Sequence, residues 1–360
     1  MTAGDLREAP AGRRAPLFEP HLSSTLRWHF HPVTGSRFWL SRASGLGFDP
    51  LRDIRTLSDL RRFPDLSELL RTVPVDELIP RGNLGMPFQV YESGGTLGAP
   101  KRIVELGARA EGVEWVDRML DRHEFPRGVH WLHVGPTGPH IVGRSMRRLA
   151  ENRGGACFTV DFDPRWVKRQ IAAQRQDVAD DYIEHVLDQV ELVVANQEIR
   201  VLFITPAVLE ALCARKPLRD LLADRLRGLI WSGTSIDEAT LRTVREHYFP
   251  HCTVLGIYGN SLMGIAPQRP SVPGEPYPCV FQPYWPRAVV EVVHPDTGAP
   301  VEYGQRGRVL VHLLTRDMFL PNVLERDTAV RVGPEPGGSV DGLAGIAPFR
   351  GGTTVIEGVY

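Results

Sequence analysis

The chain has 360 residues, with 42 lysines and arginines against 43 aspartates and glutamates, for a formal net charge of −1. That length allows one large domain or two ordinary ones with ample core, and the balanced charge offers no electrostatic footprint for nucleic acid or an anionic membrane. The opening MTAGDLREAPAGRRAP has no apolar signal segment and no apolar run reaches membrane-spanning length, so the expected location is the cytoplasm.

Residues 1–20 read as a flexible arm. Short elements follow to about residue 80, among them a helix-like TLSDLRRF (56–63) capped by Thr56 or Ser58. The stretch YESGGTLGAPKRIVE (91–105) sets a glycine-rich loop between two strand-like flanks, FQVYE and RIVEL. It is not a phosphate loop of the kinase type, which requires G-x-x-x-x-G-K-[ST] between strand and helix; here Pro100 stands between the last glycine and Lys101. Phosphate chemistry is still open to it. Gly94, Gly95 and Gly98 can take positive φ and admit a ligand close to the backbone. Successive N–H groups make an anion-binding concavity, to which Thr96 and Lys101 add a hydroxyl and a point charge. Taken alone, the loop is equally compatible with a plain surface turn.

Beyond the loop the pattern becomes regular. GVHWLHV (128–134) and GACFTV (155–160) read as buried strands. Asp163-Pro164 opens a helix with cap and first-turn proline in the favoured order. A second helix carries Val178, Tyr182, Ile183, Val186 and Val190 at helical spacing. Strand IRVLFI (199–204) leads to a helix capped at Thr205-Pro206 and running through Ala214. Strand GLIWS (228–232) leads to a capping box, Ser235 to Glu238, and a helix to about His247. TVLGIYG (253–259) closes the series. Alternating strands and helices predict a parallel sheet with right-handed crossovers, with ligands beyond the carboxyl ends of its strands. Those ends carry GPTGPH (135–140), Thr205-Pro206, WSGT (231–234) and YGNS (258–261). After residue 285 the texture turns β-rich: RAVVEVVHPDTGAPV reads as strand, turn and strand, RGRVLVHLL as another strand, and the tail as at most one or two short strands. The expected organisation is a flexible arm (1–20), an α/β core (21–285) and a β-rich subdomain with a short tail (286–360).

Other candidate residues are weighed singly. Cys157, Cys213, Cys252 and Cys279 have no CxxC spacing, which argues against a disulfide framework or zinc site and for small buried hydrophobes. His29 and His31 could share one face of a strand, but nothing nearby completes a zinc set. His130 and His133 fall on opposite faces of theirs. His140, just past a strand end, either faces a ligand or caps a helix. Asp163 is the better helix cap, and Asp161 points the other way. Trp231 is a packing residue or a pocket wall.

Several of these stretches, taken in order, resemble the adenylate-forming superfamily. GGTLGAPK (94–101) looks like the signature [ST]-G-[TS]-T-G-x-P-K, WSGTSID (231–237) like the glycine turn bordering the adenine, and GIYGNSLMG (256–264) like the Y-G-x-T-E motif. VVHPDTGAPVEYGQRGRVLV (292–311) resembles the segment that follows, and NVLERDTAV (322–330) stands where the family has T-G-D. The likeness spans roughly residues 25–330. HPVTGSRFWL followed by TLSDLRRFP is similar to the phenylacetate–CoA ligase branch. DFDPRWVK, YGNSLMG and the IEGVY tail resemble the short adenylate-forming proteins of phenazine-antibiotic biosynthesis. The resemblance implies an acyl-adenylating domain of parallel and mixed sheets flanked by helices, plus a smaller β-rich subdomain.

It also implies roles. Thr96 and Lys101 would contact the β- and γ-phosphates of ATP, cradled by Gly94, Gly95 and Gly98. Ser232, Gly233 and Thr234 would line the adenine and Tyr258 would stack on it, with Gly259 and Asn260 beside it. Ser261 would meet the α-phosphate and Asp327 the ribose hydroxyls. A small aryl carboxylic acid would sit near His140, Trp231 and Gly256. There are departures. Leu97 replaces a threonine, and Leu262 replaces the glutamate that helps hold Mg²⁺, so the metal would rest on phosphates and water. The family's C-terminal subdomain, which brings a catalytic lysine, is expected to be missing: the three lysines of the 360 residues are Lys101, Lys168 and Lys216. The expectation is a slow or partner-dependent carboxylate-adenylating enzyme of secondary metabolism that passes its acyl group to a reductase or other acyl acceptor. The alternative is a non-catalytic module that binds an aryl acid or nucleotide.

Overall fold

The computed structural model describes residues 18–93 and 99–349. The flanks of the glycine-rich loop form an antiparallel hairpin of β1 (Gln89–Glu92) and β2 (Arg102–Glu105), with Glu92 opposite Arg102. The α/β series then builds a six-stranded sheet. β3 (His130–Gly135), β4 (Cys157–Asp161), β5 (Ile199–Ile204), β6 (Gly228–Ser232) and β7 (Thr253–Asn260) run parallel, and β8 (Gly264–Pro267) pairs antiparallel with β7. The order is β4-β3-β5-β6-β7-β8. β6 is buried along its whole length, as a central parallel strand covered on both faces must be.

The later chain forms a five-stranded antiparallel sheet, β10-β11-β12-β13-β9, from β9 (Val280–Phe281), β10 (Ala288–Val293), β11 (Arg306–Leu314), β12 (Phe319–Val332) and β13 (Gly342–Pro348). The first described helix, Phe18–Phe30, lies against this sheet. His29 Nε2 is 2.7 Å from the Thr315 carbonyl, and Trp39 Nε1 donates to the Phe319 carbonyl at 2.8 Å. Phe30, Trp39, Phe63 and Phe319 interlock around that contact, so distant parts of the sequence share one core.

Local rules account for several helices. Asp163 accepts from the Arg165 and Trp166 amides at 2.9 and 3.2 Å, and Pro164 opens the helix Pro164–Ala172. The helix Gln176–Asn196 buries Ala179, Val186, Leu187, Val190 and Val194. Its stripe is therefore rotated from the predicted one: Val178, Tyr182 and Ile183 are only half-buried.

Several expectations are corrected. The segment after the HPDTG turn makes only an isolated bridge, Val293 with Pro300, where a second strand was expected. His29 lies in a helix, not a strand, because the helical period turns it inward, where burial lowers its pKa to about 4. TLSDLRRF forms a short 3-10 turn, Ser58–Arg62, in which neither Thr56 nor Ser58 acts as cap. Instead, the Asp59 carboxylate accepts from the Arg55 and Thr56 amides and the Thr56 hydroxyl. The helix after β6 starts at Glu238, and its cap is Asp237, which accepts from the Thr240 amide at 2.9 Å; Ser235 stands outside. Thr205 holds the cap position of Pro206–Ala214, but its buried hydroxyl makes no hydrogen bond among the described residues. Two of the four cysteines, Cys157 and Cys252, are half-buried rather than buried. No helix among the described residues is long and apolar enough to cross a membrane.

Candidate functional site

At the carboxyl ends of β6 and β7, facing β12 and β13, lies a cavity of about 730 Å³. This is where an open α/β sheet places its ligands, and its size is that of a small-molecule site. Lys101, His140, Trp231, Ser232, Gly233, Thr234, Tyr258, Gly259, Asn260, Ser261 and Asp327 all line it. Residues separated by as much as two-thirds of the chain are thus drawn to one opening.

Gly94, Gly95, Thr96 and Gly98, read as the phosphate cradle, lie outside the described residues, as does Leu97. The described ends of that loop are tied down. Ser93 N donates to the Lys101 carbonyl at 3.0 Å and Lys101 N to Ser93 Oγ at 2.9 Å. Arg165 donates to the Ser93 carbonyl at 2.8 Å, and Arg71 to that of Ala99. The hairpin is therefore zipped to its last residues, and Lys101 emerges from its end into the cavity.

Gly256 sits behind the wall rather than in it. A Cβ there would fall 2.6 Å from Trp231 Cζ2 and 3.0 Å from Phe281 Cε1. The glycine leaves room for the indole, which meets Phe281 edge-on at 6.1 Å. Trp231, Phe281 and Cys279 then form an apolar end of the cavity.

The polar end is organised by ion pairs and hydrogen bonds. The Lys101 ammonium lies 2.9 Å from Glu325 Oε1, their side chains only 8% and 12% exposed. The Tyr258 hydroxyl donates to Asp327 Oδ2 at 2.9 Å; burial first, and then the Asp327 charge, push its pKa well above the ordinary phenol value and keep it a neutral donor. Ser261 Oγ donates to the Glu92 carbonyl at 3.1 Å, which ties the loop after β7 to the hairpin. His140 holds the cap position of the helix Ile141–Asn152, where burial and then Arg165 lower its pKa. Asp161, at the end of β4, accepts from the Thr137 amide and hydroxyl at 2.9 and 2.7 Å, turned to the turn that follows the neighbouring β3.

Sequence reasoning missed Glu325 and Arg326. Arg308 pairs with Thr328 and Leu310 with Leu324, so residues 325–327 of β12 face a single residue of β11. This bulge breaks the strand alternation and brings Glu325, Arg326 and Asp327 together onto the cavity wall, a common use of bulges beside functional sites. Alternation could have paired Glu325 with Asp327 as i and i+2, but nothing in the sequence announces the bulge. Lys168, from the helix that Asp163 caps, also lines the cavity, its pKa lowered to about 8 by burial and then by Arg326, with Asp327 opposing.

A scan against protein-family models and a search of curated proteins return no match. Solved structures do match. A 2-hydroxyisobutyryl-CoA ligase, in complex with 2-HIB-AMP and CoA in the thioesterification state, superposes with a TM-score of 0.63 at 15% identity, covering 92% of this chain and 67% of that one. The open conformation of this ligase with 2-HIB-AMP and CoA gives 0.58 at 14%, covering 92% and 69%. Its postadenylation state with 2-HIB-AMP gives 0.59 at 16%, covering 91% and 65%. This chain spans about two-thirds of the length of those ligases. What the likeness establishes is the fold: a mixed α/β architecture, parallel and mixed sheets flanked by helices, shared with an acyl-CoA ligase over nearly all of this chain.

Proposed function

We propose that this protein activates a carboxylic acid with ATP as an acyl-adenylate. The observation that carries the reading is the convergence of Lys101, Asp327, Ser232–Thr234 and Tyr258–Ser261 on one cavity. In this reading Asp327 accepts from the ribose hydroxyls, Ser232, Gly233 and Thr234 border the adenine, and Tyr258 offers it a ring face. Lys101 draws the β- and γ-phosphates, and the Ser261 hydroxyl meets the α-phosphate. An oxygen of the carboxylate attacks the α-phosphorus and forms a P–O bond; the bond to the β-phosphate breaks and pyrophosphate leaves. The catalytic work is alignment and charge stabilisation, and each preorganised polar contact of this type contributes roughly 10²–10³ in rate.

Mg²⁺ would accompany the triphosphate, held by phosphate and water. Among the described residues no three His, Cys, Asp or Glu side chains gather as a metal site, and Leu262 has no oxygen to offer. The acid is an aryl acid, seated at the apolar end where Trp231 presents an aromatic face, and His140 lines the same cavity. The acyl group passes to a partner enzyme, a reductase or acyl acceptor, in cytoplasmic secondary metabolism; DFDPRWVK and YGNSLMG, which resemble the phenazine-biosynthesis proteins, support this step.

Two contacts favour the second reading, a non-catalytic binder: Lys101 is already neutralised by Glu325, and Asp327 already accepts from Tyr258. Carboxylate-dependent exchange of labelled pyrophosphate into ATP, run over a panel of aryl and aliphatic acids, decides between them. Exchange with an aryl acid supports adenylation. ATP binding by calorimetry without exchange for any acid would leave only the binder.

A further inference from the structure

Lys101 lies in the cavity with its charge already balanced. Its ammonium is 2.9 Å from Glu325 Oε1, and both side chains are almost wholly enclosed. Two positive groups flank the pair: Arg308 on β11, whose Nη2 donates to the Glu325 carbonyl at 2.6 Å, and Arg326 on β12; the Tyr258 hydroxyl faces it from β7 as a neutral donor held by Asp327. Asp327 adds a second negative charge from the same bulge, Lys168 approaches Asp327 from the helix Pro164–Ala172, and Asp65 faces Arg308. An anionic oxygen arriving at Lys101 therefore meets a resident carboxylate within about 3 Å of the same ammonium, with another carboxylate beyond it.

A further anion brought onto the same ammonium disfavours the ionised form of the carboxyl already there. We propose, on the nucleotide reading above, that Glu325 is a specificity-determining counter-anion: a polyphosphate binds at Lys101 only as Glu325 takes up a proton, whereas a ligand without phosphate leaves the Lys101–Glu325 pair intact. The proton comes from solvent and goes to the Glu325 carboxylate. The resulting O–H is a donor, so the group changes from competitor to hydrogen-bonding partner of the same phosphate oxygen. Burial already moves the Glu325 carboxyl upward, against the pull of Lys101, and an arriving anion moves it further in that direction. Affinity for polyphosphates consequently falls as pH rises.

The test is calorimetric titration of the full chain with ATP, tripolyphosphate and adenosine at pH 7 and pH 8, each in two buffers of different ionisation enthalpy, with Mg²⁺ held constant. ATP and tripolyphosphate are expected to take up about one proton and to lose about tenfold in affinity over that pH unit; adenosine should do neither. Glu325→Gln should abolish the uptake and the slope, and bind ATP at least tenfold more tightly at pH 8. The proton count on the unmodified chain decides the matter even if Glu325→Gln folds poorly. ATP binding without proton uptake overturns the role of Glu325 and leaves the nucleotide reading standing. Proton-coupled tripolyphosphate binding with no affinity for adenosine, and none gained by ATP, upholds Glu325 and overturns the nucleotide reading. Failure of both polyphosphates to bind overturns both.

Discussion

Removing the Lys101 ammonium should destabilise the fold in a way that depends on pH. In Lys101→Ala the Glu325 carboxylate, 12% exposed beside its partner, loses the cation 2.9 Å away. Breaking one side of an enclosed ion pair typically costs about 3–5 kcal/mol, because a charge is left without compensation. The carboxyl has an escape, since it can bind a proton. The sign follows from linkage. Glu325 already has a folded pKa above its ordinary value, through burial, and losing Lys101 raises it further. The folded state then holds a proton that the unfolded chain releases near pH 4.3. Relative to the wild type, whose Glu325 is itself raised, the penalty begins at the wild type's folded pKa, grows by about 1.4 kcal/mol per pH unit up to the folded pKa of the variant, and is flat above it. Urea denaturation of the wild type, Lys101→Ala and Lys101→Ala/Glu325→Gln at pH 5, 6.5 and 8 measures this. The single variant should lose little at pH 5 and most at pH 8. The double variant should recover most of the loss and show no added slope. An equal loss at pH 5 and pH 8, or a double variant no more stable than the single, would refute the reasoning.

Gly256→Ala should cost about 1–3 kcal/mol by overpacking, since its Cβ would press into the Trp231 ring at 2.6 Å; denaturant midpoints check this, and acid binding should weaken with it as the apolar end shifts. Asp327→Asn should weaken ATP binding about tenfold or more, as a charged acceptor becomes a neutral amide, and calorimetry showing unchanged affinity would remove it from the nucleotide site. His29 and His133 are wholly enclosed and held near pKa 4 by burial. The unfolded chain binds their protons first, so stability should fall as pH drops from about 6.5 towards 4. His133→Phe, which keeps a ring against Phe203, should flatten the slope by one proton in that window.

Much of the architecture is written in short-range pattern. The runs IRVLFI and GLIWS specify β5 and β6 residue for residue, because a strand covered on both faces needs a nearly continuous apolar run, broken here only by Arg200 near the start of β5. Asp163-Pro164 specifies a helix start, because cap and first-turn preferences act over three residues. Lys101, Tyr258 and Asp327 are legible as candidates from short motifs taken in order, and all three line one cavity. Some signals are near-ties that local pattern does not break: Ser235 and Asp237 are both good caps, and only the folded chain shows that Asp237 serves. Other features have no local signal. The partner of Lys101 stands 224 residues away and reaches it through a bulge whose cause lies in the pairing of β12 with β11. The need for glycine at 256 is set by a tryptophan on the neighbouring strand and a phenylalanine of the other sheet. Periodicity and capping depend on residues a few positions apart, so the sequence alone determined the five parallel strands, the helices Pro164–Ala172, Gln176–Asn196 and Pro206–Ala214, and the charged groups available to the cavity; which charges meet, and what fills the space between them, depends on contacts that exist only once the two sheets have closed on the cavity.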